Sequence, residues 1–154
     1  MSFYQANRLK IDKDCSVFVS LGGTFSDHQI TGIMNYYLEA RAMDCFDNDL
    51  PGRIYGVRMA GLLEGLHLNI IKSDSTVIIK TGGKEFSMSS DDVSIAELSK
   101  HIHLRYKVGQ WKAAPAFEDW NDQIMNKPMS IILGKSKYQR DEKLAENRKN
   151  CFKL

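Results

Sequence analysis

The sequence predicts an α+β fold: a single domain in which a mixed, mostly antiparallel sheet packs against about four to five helices. The chain of 154 residues has the length of one domain. Short alternating apolar stretches, typical of strands, are interspersed with stretches whose apolar residues recur every three or four positions, typical of helices. With 43% apolar and 26% charged residues, the composition is that of a globular protein.

The amino-terminal third is predicted to form a hairpin followed by a helix. Residues 9–11 and 15–21 are short, partly alternating stretches on either side of polar turn residues, which is the pattern of two paired strands. Ser26 or Asp27 can cap the next element, where apolar residues recur at helical spacing. We therefore expect a helix over about 27–43.

A second helix is predicted after the loop 44–52, although Gly56, Gly61 and Gly65 interrupt it. Each glycine costs about 0.5–1 kcal/mol relative to alanine inside a helix. Glycines retained at this cost indicate either close packing against another backbone or a helix that ends earlier than the apolar spacing suggests.

The middle of the chain predicts three strands, over 68–72, 76–81 and 84–88. The glycine pair between the last two readily supplies the positive φ of a two-residue hairpin turn. Serine and aspartate residues then offer caps for a short helix over about 91–100.

Residues 101–108 alternate between apolar and basic side chains, which predicts a half-buried strand with a cationic outer face. The predicted buried side chains are Ile102, Leu104, Tyr106 and Val108, and the predicted exposed side chains are His101, His103, Arg105 and Lys107.

The carboxyl-terminal part predicts a helix after Pro115, with Phe117, Trp120 and Ile124 on its apolar side, and a last strand over 130–133. Residues 135–154 carry seven basic and three acidic side chains, a net charge of +4. We expect residues 1–134 to form the compact domain and residues 135–154 a basic helix or tail of that domain.

Several classes of protein are disfavoured by the sequence. Its apolar runs are far shorter than the roughly 18–20 residues that cross a bilayer, and the first residues do not resemble a secretory signal. Cys15, Cys45 and Cys151 are odd in number and lack the spacing of metal ligands. We therefore expect reduced thiols, a cytoplasmic location, no membrane partner, no metal and no cofactor.

An acidic loop formed by Asp44, Asp47 and Asp49 invites a calcium interpretation, because oxygen ligands at alternate positions begin an EF-hand loop. In that alignment Pro51 occupies a ligand position and Arg58 occupies the position of the bidentate glutamate. The pattern therefore favours a solvated acidic loop, which can engage a basic partner.

The pair His101 and His103 gives a third kind of candidate site. Histidines two apart on a strand point the same way and can share a metal ion. With Ile102 between them, they resemble the His-hydrophobic-His element of HUH single-strand nucleases. The resemblance implies a metal-dependent nuclease whose nucleophile is Tyr138, and this function is kept as an alternative.

The expected function is that of a small non-enzymatic binding protein, an inhibitor or immunity-type protein that neutralises a protein partner. Small chains without a catalytic motif often have such roles, which is an association with other proteins rather than a derivation. A nucleic-acid-binding protein is the alternative, weakened by a net charge of only +2. The sequence leaves the partner and the oligomeric state open. The candidate binding residues are His101, His103, Arg105, Lys107 and Trp111 on the basic side, and Asp44, Asp47 and Asp49 on the acidic side.

Overall fold

A computed structural model describes residues 2–129, which contain five helices and five strands. The helices are α1 (Ser2–Asn7), α2 (Asp27–Tyr36), α3 (Leu50–Leu63), α4 (Ile95–His101) and α5 (Trp120–Ile124), and the strands are β1 (Met43–Asp44), β2 (Asn69–Lys72), β3 (Thr76–Thr81), β4 (Lys84–Ser89) and β5 (Gly109–Gln110). The predicted α+β class is confirmed. The strand predicted over 130–133, the tail 135–154 and Tyr138 lie outside the described residues.

The three central strands form an antiparallel sheet in the order β2-β3-β4, as their alternation predicts. Ile70, Ile79 and Phe86 are aligned across the sheet, so their side chains share one face. That face packs against α3 and α4 and makes the larger hydrophobic core. The predicted hairpin turn is confirmed, since Gly82 and Gly83 both have positive φ, at 53° and 79°.

Helix α3 packs closely through two of its glycines. A Cβ atom at Gly56 would lie 2.5 Å from Asp44 Oδ2, and one at Gly61 would lie 2.5 Å from Leu68 Cδ1. Gly65 instead follows the end of the helix with φ +71°. The earlier end of the helix is therefore confirmed at Gly65, whereas Gly56 and Gly61 pack closely against side chains rather than against another backbone as expected.

Helix α2 begins where its cap predicts but ends earlier than expected. The side chain of Ser26 accepts a hydrogen bond from the Gln29 amide, and the Gln29 side chain accepts one from the Ser26 amide. The helix ends at Tyr36 rather than near residue 43, and Leu38 is exposed. The apolar side chains that continue the helical spacing beyond Tyr36 have no core to pack against. The chain instead leads into β1, which pairs in parallel with β5.

The predicted amino-terminal hairpin is wrong. Residues 2–7 form α1, and neither 9–11 nor 15–21 is a strand. The aromatic ring of Phe3 explains the helix, because it packs edge-on against Trp111 and Trp120 at 5.4 Å and 5.1 Å between centroids.

Helices α4 and α5 are shorter than predicted, because each starts at its own cap. The Glu97 amide donates to the Ser94 side chain, so α4 begins at Ile95 rather than near residue 91. The Asp122 amide donates to the Asp119 side chain, so α5 begins at Trp120 rather than near Pro115.

Candidate functional site

The carboxyl-terminal end of α3 positions the first group of the candidate site. The Gly65 amide donates to the Leu62 carbonyl, and the Leu66 amide donates to the Gly61 carbonyl. This pair of hydrogen bonds is a Schellman motif, which needs the left-handed conformation that Gly65 provides. The motif ends the helix at Leu63, with Glu64 as its C-cap, and turns the chain toward β2.

Glu64 holds the loop 103–107 from inside the molecule. Its side chain is only 4% exposed, and one carboxylate oxygen accepts a hydrogen bond from the Tyr106 backbone amide. The other oxygen accepts one from Arg105 Nε at 3.4 Å. The Arg105 side chain nevertheless remains 78% exposed and Tyr106 remains 46% exposed. The backbone of the loop is therefore held at Tyr106, while its aromatic and cationic side chains face solvent.

A second charged group joins Asp27 of α2 to Arg58 of α3 and to His67, which follows α3. Asp27 Oδ1 accepts from Arg58 Nε at 2.9 Å and from Arg58 Nη2 at 2.6 Å, while Asp27 Oδ2 lies 3.1 Å from His67 Nδ1. Burial alone would raise the pKa of the Asp27 carboxyl, but the hydrogen bonds from His67 and Arg58 lower it below its ordinary value. The arrangement favours a proton on His67 Nδ1, and the imidazole is otherwise 84% exposed.

His67 borders a shallow groove of about 420 Å³ at the turn between β3 and β4. The groove contains two lysines, Lys80 and Lys84, and one carboxylate, Glu85. Lys80 Nζ pairs with Glu85 Oε2 at 2.9 Å, so that cation is compensated. Lys84 is exposed and leaves the groove with a cationic balance suited to an anionic group.

The groove and the loop border the same end of α3. Glu64 and His67 are three residues apart, so their Cα atoms are separated by at most about 11 Å. Glu64 contacts the loop directly, and His67 lines the groove. We call the exposed side chains of the groove and of the loop together the cationic surface. It comprises His67, Lys80, Lys84, Arg105, Tyr106 and Lys107.

The predicted strand over 101–108 is wrong. His101 is the last residue of α4, and its ring stacks on the Phe86 ring at 4.4 Å between centroids. Among the described residues the segment pairs with no strand before Gly109, because Glu64 accepts the amide of Tyr106 in place of a neighbouring strand. Tyr106 is exposed rather than buried.

The two histidines therefore do not share a strand face as the nuclease resemblance requires. His101 packs on the sheet at the end of a helix, whereas His103 is exposed in the loop. Within residues 2–129, no group of three histidine, cysteine, aspartate or glutamate side chains is placed to hold a metal ion.

The structure separates the remaining predicted residues from the cationic surface. The Trp111 ring packs against α1, and its backbone amide donates to the Asp44 carbonyl at 2.8 Å. The Asp44 side chain is 1% exposed and pairs with Lys112 Nζ at 2.7 Å. Asp49 accepts from the Gly52 amide at 2.8 Å as the cap of α3.

Asp47 is the member of the acidic loop that stays exposed. Partial burial and the nearby carboxylates of Asp119 and Asp49 raise the pKa of its carboxyl. Beside it, burial and the charge of Asp44 raise the pKa of the Cys45 thiol to about 11, so that thiol stays protonated at neutral pH. Because Asp44 is buried against Lys112 and Asp49 caps α3, the loop presents less negative charge at its surface than its sequence suggests.

Glu64, Asp27, Arg58 and His67 were not identified as site residues from the sequence. Their contacts join residues 31 to 42 positions apart, and no local spacing marks such pairs. The one available signal was Gly65, since a glycine at the end of an apolar repeat predicts the turn that brings Glu64 and His67 to this surface.

The chain matches no known family model, no curated protein and no solved structure. In residues 2–129, none of the helices has both the length and the apolar character needed to span a membrane.

Proposed function

We propose that this chain is a small cytoplasmic binding protein without catalytic activity, an inhibitor or immunity-type protein that covers an acidic surface of a protein partner. The observation that carries the proposal is the hold of buried Glu64 on the loop 103–107, which leaves Arg105 and Tyr106 exposed.

Fixing the loop before binding favours affinity. A flexible loop loses conformational freedom when it binds, and this loss opposes association. Here the Tyr106 amide is already held, so less freedom remains to be lost. Tyrosine and arginine are also the residue types that most often dominate binding energy at protein interfaces.

The charge around the loop favours an acidic partner. Lys107 and Lys84 are exposed, and His67 adds a cation whenever its imidazole is protonated. Charges of one sign around an interface raise the association rate and select the partner by electrostatic complementarity. An acidic patch of a protein complements this arrangement better than a basic one.

The test is affinity capture from an extract of the source cell with three baits: the parent chain, Tyr106→Ala combined with Lys107→Glu, and Lys13→Glu. Tyr106 and Lys107 are exposed, so their replacement leaves the core intact. Lys13 is an exposed cation in another loop and controls for a change of charge. We expect an acidic protein to be retained by the parent and by Lys13→Glu but not by the double variant.

Inhibition is then measured directly. If the retained protein has an activity, adding the purified parent chain should reduce it, and the double variant should not. Retention that is equal on all three baits contradicts the assignment of the cationic surface. Retention that is abolished by nuclease treatment supports the nucleic-acid alternative instead.

A further inference from the structure

Residues 16–20, Ser-Val-Phe-Val-Ser, form an apolar stretch that lies on the surface without secondary structure. Val17, Phe18 and Val19 are 58%, 47% and 47% exposed. β-Branched and aromatic residues in such a stretch are typical of a strand, yet in residues 2–129 no strand lies beside it. We call these five residues the exposed segment.

The backbone of the exposed segment is unpaired among residues 2–129. Within the described part of the chain, no backbone hydrogen bond joins residues 15–21 to another segment. Unpaired amides and carbonyls beside apolar side chains are a template for another strand, and proteins usually protect such edges with lysine or proline. Residues 15–26 contain neither proline nor any charged side chain.

The exposed segment is held in place at its centre. The Phe18 ring packs against Tyr4 and Phe3 of α1, at 5.3 Å and 6.3 Å between ring centroids. The contact anchors the middle of the segment while the valines on either side remain exposed. A partner strand would therefore meet a segment that is already positioned.

The order of residues in the segment favours a second copy of the chain as the partner. Ser16-Val17-Phe18-Val19-Ser20 reads the same in both directions. An antiparallel pair of identical segments on a two-fold axis at Phe18 places Val17 opposite Val19 and Ser16 opposite Ser20. Each apolar side chain then faces an apolar one and each hydroxyl faces a hydroxyl, and such cross-strand pairs stabilise sheets.

We propose that this segment is the interface of a homodimer, in which two copies of the chain pair antiparallel through residues 16–20. A two-fold interface must be complementary to itself, and a palindromic strand without charge meets this requirement. The interface lies on a different part of the chain from the loop 103–107, so the dimer does not depend on the proposed function.

Sedimentation equilibrium on the full chain tests the dimer. We expect the parent to reach the mass of two chains with rising concentration, and Val17→Lys to weaken association at least tenfold. Leu38→Lys is the matched control, since Leu38 is also an exposed apolar residue, and it should associate like the parent. A parent that stays monomeric up to about 1 mM overturns the proposal, because even millimolar affinity would populate the dimer there.

Disulfide trapping tests the register while keeping the Phe18 anchor. In a chain with Cys15→Ser and Cys151→Ser, the replacements Ser16→Cys and Ser20→Cys are made separately, and the two variants are oxidised alone and as a mixture. Only the mixture should form an intermolecular disulfide, because position 16 faces position 20 of the other copy. Two cysteines at position 16 would lie four residues out of register, about 13 Å apart along the strands, and a disulfide needs Cα atoms within about 7 Å. Equal cross-linking in the mixture and in each variant alone contradicts the proposed pairing.

Discussion

Two buried carboxylates, Glu64 and Asp44, fix loops that lie far from them in the sequence. Glu64 accepts hydrogen bonds from Arg105 and the Tyr106 amide, and Asp44 accepts them from the side chains of Lys112 and Gln110. A buried carboxylate is costly unless it is hydrogen-bonded, so each of them specifies the loop that satisfies it. The position of the loop 103–107 is thereby linked to the stability of the fold.

This link predicts different costs for two substitutions of Glu64. Glu64→Ala leaves the Tyr106 amide without its acceptor and should destabilise the fold by about 1–3 kcal/mol. Glu64→Gln keeps one oxygen that can accept from that amide, although it loses the charge and the second oxygen that accepts from Arg105 Nε, so it should cost less. Glu85→Ala, which breaks an exposed pair with Lys80, is the control and should change stability by at most about 1 kcal/mol. Urea unfolding measures all three, and equal losses for Glu64→Ala and Glu85→Ala would contradict the role of Glu64.

Asp27 predicts a pH dependence of stability. Its pKa in the fold is lowered below the ordinary value of 3.8, so the folded chain binds the Asp27 proton more weakly than the unfolded chain does. The stabilisation by Arg58 and His67 is therefore complete above about pH 5 and decreases as the pH falls through 3.8 and below.

The measurement is urea unfolding of the parent and Asp27→Asn at a series of pH values. Their difference in stability should narrow as the pH falls from about 5 through 3.8 and below. Asp14→Asn, in an exposed loop, controls for the loss of one carboxylate. A difference that widens as the pH falls would show the opposite shift of the Asp27 pKa.

At the scale of elements, we expect opposite effects when a glycine of α3 and a glycine of α2 are each replaced by alanine. Gly56→Ala places a methyl group against the Asp44 carboxylate, which Lys112 already holds. It should destabilise the fold by about 1–3 kcal/mol. Gly32→Ala in α2 meets no atom within 4 Å, so it should stabilise by about 0.5–1 kcal/mol through helix propensity. Thermal unfolding of the two variants measures both changes in stability. Equal effects would show that α3 does not pack through Gly56.

The elements predicted from the sequence are those with local signals. The turn at Gly82 and Gly83 and the β-branched residues on either side of it specify the hairpin, and Ser26 specifies the start of α2. Residues 101–108 alternate clearly and residues 15–21 alternate in part, but neither segment is a strand. Alternation describes which side chains prefer burial, whereas a strand also needs a neighbour, and the sequence does not show which segments become neighbours.

The candidate site was only partly predictable for the same reason. Arg105 and Lys107 were identified as exposed cations from the alternation alone, and both are exposed. Glu64 and Asp27 act through residues more than thirty positions away. Only the folded chain shows that a buried carboxylate is what holds the loop.

At the scale of the whole molecule, the distribution of charge predicts weak binding to nucleic acids. The net charge is +2, and several cations already pair with carboxylates in the described part of the chain. The paired cations are Arg58, Lys80, Lys100, Arg105 and Lys112. A cation that must leave a carboxylate to contact a phosphate gains little, so few phosphates can be neutralised.

Fluorescence anisotropy with a labelled single-stranded oligonucleotide measures this. We expect binding only at low salt, with an affinity that falls steeply because each neutralised phosphate contributes about −0.7 to the slope of log K against log salt for single strands. Lys107→Glu should weaken that residual binding, and Lys13→Glu is the control for a change of net charge. Submicromolar, sequence-selective binding at about 0.15 M salt would contradict the prediction. The cationic surface would then be assigned to binding a nucleic acid rather than an acidic protein.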